Sequence, residues 1–374
     1  MKTRTFVMSK AGVIGGVCTT HAPQLWTLPD SEDPNVVKRV KELLGGVGDK
    51  LKAMKPDICI VIANDHAHQF LLHCTASFTM HIGGIAEGSF AGRDYKYPVA
   101  SQASLDLLRY AQRNNVDPAF TSNAKIDYAF GIPLDFTGID NIPILPIFVN
   151  AYVPPQPSIE RCFAFGRILG DGIKALGLRA VVVCSGGLSH YPGTERYMDP
   201  GPDEEFDRHF MRMMERGELR YLLALDEKKL DETGNIELRC WGVAAGMIGE
   251  RAPDITNFEP TWHHNYGTVA WTTEPEEDSF EPHYPSIHPE RVVLSETLHN
   301  LAGDKVEREK YLADPAAYAA SIDGLSDEER KALVALDQSE MIALGMHPFV
   351  PHSFRRVLER AGVLEAAAPP KNRR

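Results

Sequence analysis

Four short segments carry side chains able to do acid–base or metal chemistry: TTHAPQL with His21, NDHAHQF with His66 and His68, GGLSHYPG with His190, and NIELRCW with Glu237. Imidazole and carboxylate donors suit iron, manganese, zinc and similar ions. Two histidines and one carboxylate on one face, with open positions, is the arrangement of non-haem Fe(II) oxygenases. Zinc sites use the same donors with an open water position, so a zinc-dependent hydrolase on the same ligands is the competing reading. Each piece alone has a plainer account. A histidine at a strand end is commonly a structural hydrogen-bonder. Glu237 falls in the first turn of an expected helix, where the dipole favours an acid. Gly186-Gly187 reads as a tight turn. The set, in this order, is what points to chemistry.

Such residues need a frame, and the apolar runs before them supply one. VIGGVCT (13–19) precedes His21, a run over 57–63 stops at Asn64-Asp65-His66, and RAVVVCS (179–185) precedes His190. Further strands are expected at 70–80 and 142–151, the latter at an edge or in an irregular position because of its prolines. Helical periodicity covers 35–54, weakened by Gly45, Gly46 and Gly48, then 101–114, 159–176, 203–217 and 235–248. Alternation of this kind predicts an α/β fold, a central mixed sheet flanked by helices. Ligand sites in such folds gather where strands end. From residue 273 the chain turns rich in Pro, Glu and Ser and reads as a linker. Beyond it 289–303, 305–322, 326–343 and 350–362 are helical in pattern, with Ser326 and Asp327 as caps. The expected domains are residues 1–275, a small all-α C-terminal domain over 286–366, and a disordered tail at 367–374.

Bulk properties exclude several classes. The 374 residues are 43% hydrophobic and 24% charged, enough to bury a core. A formal charge of −12 repels phosphate backbones and argues against nucleic acid. No apolar run approaches the ~20 residues of a membrane span, and the N-terminal stretch lacks a signal-peptide core. Six cysteines without a CxxC pair point to a reduced, cytoplasmic protein.

Taken together, the four motifs resemble those of the class III extradiol ring-cleaving dioxygenases, the protocatechuate 4,5-dioxygenase superfamily. Residues 1 to about 275 resemble its catalytic β subunit. The segment REKYLADPAAYAASIDGLSDEERKALVALDQSEMIALG resembles its small α subunit, fused C-terminally as in gallate dioxygenase. The resemblance implies His21, His66 and Glu237 as Fe(II) ligands and His190 as the acid/base residue. It implies a vicinal aromatic diol and O2 as substrates, and a homodimer or higher homo-oligomer. Asp65, beside a ligand, either orients His66 or caps the strand end. One departure stands out: AKIDYAFGIPL places Tyr128 where the family commonly has a second active-site histidine. A phenol donates a hydrogen bond but is a poor base, with a reference pKa of about 10. Tyr128 is therefore expected in the substrate pocket, and a hydroxypyridone or aminophenol is the alternative substrate. His68, and Arg93, Tyr95 and Lys96 in the irregular stretch SFAGRDYKYP, are the candidates for binding the ring substituent.

Overall fold

A strand with a long unbroken apolar run must be covered on both faces, and the three predicted around residues 58–63, 144–149 and 179–185 are buried at every position. The computed structural model describes residues 11–66, 68–70, 74–275, 284 and 287–365. Its strands are β1 (Gly12–Thr19), β2 (Ile58–Ala63), β3 (Phe78–His81), β4 (Ile85–Phe90), β5 (Arg93–Pro98), β6 (Ala119–Thr121), β7 (Ile144–Val149), β8 (Arg179–Ser185), β9 (Ile255–Glu259) and β10 (Tyr266–Trp271). Eight of them form one mixed sheet in the order β6-β3-β7-β2-β8-β1-β10-β9. Its centre, β7-β2-β8-β1, is parallel, and antiparallel pairs join β1 to β10, β10 to β9 and β3 to β7.

Successive residues of a strand point to opposite faces, and the two cores sort accordingly. Ile58, Ile60 and Ile62 of β2, with Val182 and Cys184 of β8, join one core with Phe165, Phe210 and Trp241. Cys59, Val61, Val181 and Val183 join the other, with Leu44, Val47 and Phe130. The helix Pro34–Ala53 covers that second face. It starts from Asp33, whose carboxylate accepts from the Asn35 N–H, and it runs unbroken through its three glycines. Gly48 has a packing reason, since a Cβ there would lie 1.8 Å from the Thr137 carbonyl oxygen. The helices Ile159–Ala175 and Leu238–Ile248 cover the opposite face.

Three expectations are corrected. β7 is an interior strand, paired on both sides. The carbonyls of Pro143 and Ile144 point to opposite neighbours, towards Cys59 and Ala100. That alternation turns the missing N–H of Pro146 towards β3, beyond the last pair there, Met80↔Ile147. The proline therefore breaks no ladder bond. The stretch SFAGRDYKYP is not irregular either. β4 and β5 form a hairpin with Phe90 opposite Arg93. Its two-residue turn, Ala91-Gly92, has φ of 48° and 72°, the left-handed pair that a tight hairpin requires. The expected strand over 70–80 is shorter and begins at Phe78.

The chain divides into two compact units, Met1–Glu276 and Glu277–Arg374. The second has its own core of Leu294, Leu298, Tyr311, Leu333, Met341 and Phe354. Ser326 begins the helix Asp327–Ala335 with a full capping box to Glu329. Asp314 and Asp337 each cap a new helix inside regions whose periodicity suggested one. Most of the linker and the expected tail lie outside the described residues. Among those described, no helix is long and apolar enough to cross a membrane.

Candidate active site

The carboxyl ends of the four central parallel strands lie along one edge of the sheet, and the chemistry-bearing side chains follow them. His21 comes two residues after β1, His66 three after β2, Tyr152 three after β7 and His190 five after β8. Glu237 arrives from elsewhere, as the residue immediately before the helix Leu238–Ile248.

Three of these side chains converge on one point. The Nε2 atoms of His21 and His66 are 3.4 Å apart, and each lies 3.4 Å from Glu237 Oε1. His21, His66 and Glu237 are the one group among the described residues whose donor atoms could share an ion. The remaining atoms of each group are held. His21 Nδ1 sits 2.6 Å from the Ser185 hydroxyl, and His66 Nδ1 sits 3.0 Å from Asp127 Oδ1. The Gly187 N–H donates to Glu237 Oε2 at 2.7 Å. A partner on Nδ1 turns the lone pair of Nε2 towards the shared point. Two such lone pairs and a carboxylate oxygen, buried together, need a cation between them, so this donor set fits a metal ion.

The electrostatics agree. Burial alone would push Glu237 upward, but the His21 and His190 imidazoles hold it well below the usual carboxylate range. Burial would push His66 down, yet the Asp127 and Glu237 carboxylates outweigh it and raise it to about 10. In the absence of a metal, a proton thus takes the cation's place. Asp127 is pushed up by burial and pulled lower overall by His66.

His190 stands beside the centre, its Nε2 3.8 Å from Glu237 Oε1. Its Nδ1–H donates to the Leu188 carbonyl at 2.8 Å, which leaves Nε2 as the acceptor. Burial holds its pKa below the ordinary histidine value, against the pull of Glu237, so the neutral form that can take a proton prevails at pH 7. The ring of His264 lies parallel to it at 4.0 Å and is anchored by the Thr20 hydroxyl at 2.9 Å. A cavity of about 90 Å³ opens here, lined by His21, His66, Tyr128, Tyr152, His190 and His264, with Gln24, Tyr197 and His263 among the rest of its wall.

The expected residues do not all gather. Tyr128 does line the cavity, its ring stacked on His66 at 4.7 Å and 12°, and burial raises its phenol above the usual range. Asp65 caps the strand end by accepting from the Gln69 and Phe70 N–H groups; the carboxylate that orients His66 is Asp127. His68 is exposed and lines no part of the cavity. Arg93 pairs with Asp135 at 3.9 Å, Tyr95 donates to the Ile126 carbonyl, and Lys96 pairs with Glu87 at 3.7 Å. All three sit on the β4–β5 hairpin, outside the cavity wall. Sequence reading missed Asp127, Tyr152, His263 and His264. Asp127 had a usable signal, an acid placed to cap the helix Tyr128–Thr137; the others had none in their local spacing.

Residues 15–273 match the family described as the catalytic LigB subunit of aromatic ring-opening dioxygenase. The chain belongs to that family. Residues 294–366 match the LigA subunit of the LigAB aromatic-ring-opening dioxygenase. The chain is therefore a ring-cleaving dioxygenase of the extradiol, class III type, which sets the hydrolase reading aside. It is 29% identical over 309 residues to a 2,3-dihydroxyphenylpropionate/2,3-dihydroxicinnamic acid 1,2-dioxygenase of Klebsiella pneumoniae (strain 342), covering 69% of this chain and 98% of that protein. It is 26% identical, with the same coverage, to the enzyme of the same name from Escherichia coli (strain K12 / DH10B). The crystal structure of an uncharacterized protein from Escherichia coli K12 superimposes with a TM-score of 0.48 and 12% identity, over 69% of this chain and 99% of that one.

Proposed function

We propose that this protein is an Fe(II)-dependent extradiol dioxygenase that opens a single aromatic ring bearing two adjacent hydroxyls, of the protocatechuate or gallate kind. The observation that carries this reading is the triangle of His21 Nε2, His66 Nε2 and Glu237 Oε1, 3.4 Å on each side, beside His190. These three residues would hold the ion through two imidazoles and one carboxylate, the donor set of non-haem Fe(II) oxygenases. Ferrous iron held there would supply the redox chemistry that joins a diol and dioxygen.

The protein's own groups do the rest. His190 Nε2, a neutral acceptor facing the cavity, takes a proton from a diol hydroxyl and holds it for return to the opening ring. Its Nδ1–H bond to Leu188 and the stacked His264 keep the ring in one orientation. Tyr128 supplies a flat wall and a hydroxyl without a hydrogen-bond partner among the described residues, which is suited to donating to a bound oxygen. The small cavity, of the same order as the ~150 Å³ engineered cavity that accepts benzene, favours a one-ring substrate and few waters.

The test is anaerobic loading of the purified protein with Fe(II), followed by a panel of catechols, 2-aminophenols and hydroxypyridones, reading O2 uptake and product absorbance. Uptake with carboxylated catechols supports the proposal. Uptake confined to the nitrogen-containing compounds moves the substrate to the class that Tyr128 keeps open. His21→Ala, His66→Ala and Glu237→Ala should each lose the iron, and a variant that retains both iron and turnover refutes the ligand assignment.

A further inference from the structure

We infer that Tyr152 is a positioning residue of the metal centre: its hydroxyl donates to Glu237 and so fixes that carboxylate as a ligand through one oxygen. The inference rests on reading His21, His66 and Glu237 as a metal centre. The Tyr152 hydroxyl lies 2.9 Å from Glu237 Oε1 and 3.0 Å from His190 Nε2. Its ring packs against His66 at 5.1 Å. One side chain thus touches a carboxylate ligand, an imidazole ligand and the acid/base residue.

The need for it follows from the softness of a glutamate's last torsion, which has broad, roughly two-fold minima. One hydrogen bond leaves the carboxylate free to swivel about the bonded oxygen. Glu237 is gripped at both oxygens instead, Oε2 by the Gly187 N–H at 2.7 Å and Oε1 by Tyr152. Oε1 is the oxygen that faces both imidazoles. Two donors on different oxygens fix its plane and present a single oxygen to the ion. His190 is anchored at Nδ1 by the Leu188 carbonyl; its Nε2 lies 3.0 Å from the phenol oxygen, which can accept from that nitrogen once it has taken a proton. The phenol is itself delivered by a pinned turn. Asn150 donates to the Val153 carbonyl at 2.6 Å and accepts from the Val153 N–H at 2.9 Å, and the Asn150 N–H donates to the Ser77 carbonyl.

Tyr152→Phe removes the hydroxyl and keeps the ring. The full-length wild type and variant are titrated with Co(II) against a competing chelator, reading affinity and the visible absorption of the bound ion, with far-UV circular dichroism and Tm of the metal-free proteins alongside. Partners of metal ligands typically contribute about 10–100-fold in affinity. The expected result is a weakening of that size with a changed Co(II) spectrum and an unchanged metal-free fold. Tyr152→Leu, which also lacks the hydroxyl, should weaken binding equally; a markedly larger loss there assigns the effect to ring packing and counts against the inference. A Tyr152→Phe variant equal to wild type in affinity and spectrum overturns the inference alone. A wild type that binds neither Co(II) nor Fe(II) overturns both it and the reading beneath it.

Discussion

Asp127 and Ser185 do the same work for two imidazoles by different chemistry. Ser185 offers His21 a neutral hydroxyl, while Asp127 offers His66 a carboxylate that also accepts the His66 N–H and the Ala129 N–H. A carboxylate on Nδ1 makes Nε2 a stronger donor to a metal. Asp127→Asn removes that charge but leaves a good helix cap, because asparagine caps as well as aspartate. Metal affinity is expected to fall by about 10–100-fold, measured by chelator competition, and Tm of the metal-free protein should fall as well, because the protonated His66 loses its counter-charge. Equal affinity in the two proteins would show that His66 is oriented without help from the charge. His190 is separable from this, because it stands outside the triangle. His190→Gln should hold iron at wild-type affinity and lose roughly 10²–10⁴-fold in turnover, the usual scale of a positioned acid/base group. Stopped-flow absorbance of ring cleavage, with iron content measured on the same sample, checks both halves.

The loops that deliver these residues are held together by one buried carboxylate on a neighbouring helix. Asp207, on the helix Glu204–Glu215, accepts from the Ser189 N–H, the Asn235 side chain and the Asn265 side chain, at 3.0, 2.9 and 2.8 Å. Those three residues lie next to His190, two before Glu237 and next to His264. Burial outweighs the three donors and pushes Asp207 up to about 7, from an ordinary 3.8. A carboxyl whose folded pKa is raised adds stability fully below its unfolded pKa and loses it as pH rises through the folded one. The difference in unfolding free energy between wild type and Asp207→Asn should therefore shift against wild type from about pH 4 to pH 7, by up to about 4 kcal/mol. Urea titrations at several pH values measure it, and a difference that stays flat across that window refutes the buried titration. β8 was legible in the sequence over its full length, Arg179–Ser185, because its unbroken apolar run, 180–184, is buried on both faces and bracketed by the two polar end residues. The histidines were legible because they follow such runs. Tyr152 was not, since it acts on a partner 85 residues away, and Asp127 showed only its cap position and not its partner His66, 61 residues away. Neither the prolines of β7 nor the Ala91-Gly92 turn could be judged before it was known which side of the strand faced a neighbour.

At the scale of the whole chain, two units with separate cores are joined in one polypeptide, and every proposed ligand lies in the first. His21, His66 and Glu237 come from loops around the large sheet, whereas the core of the second unit, around Leu298, Tyr311 and Phe354, contributes none. A ligand that binds only the native state adds RT ln(1 + [L]/Kd) to the stability of whatever unfolds with its site, about 2.7 kcal/mol at a hundredfold excess over Kd. Metal should therefore raise the melting of the catalytic unit and leave that of the helical unit where it was. Calorimetry of the full-length protein, anaerobic and with or without Fe(II), is expected to resolve two transitions of which one moves. Glu237→Ala should abolish that movement while both transitions remain. If a single transition moves as a whole, the two cores unfold as one, and the metal's stabilisation extends over the helical unit as well as the sheet.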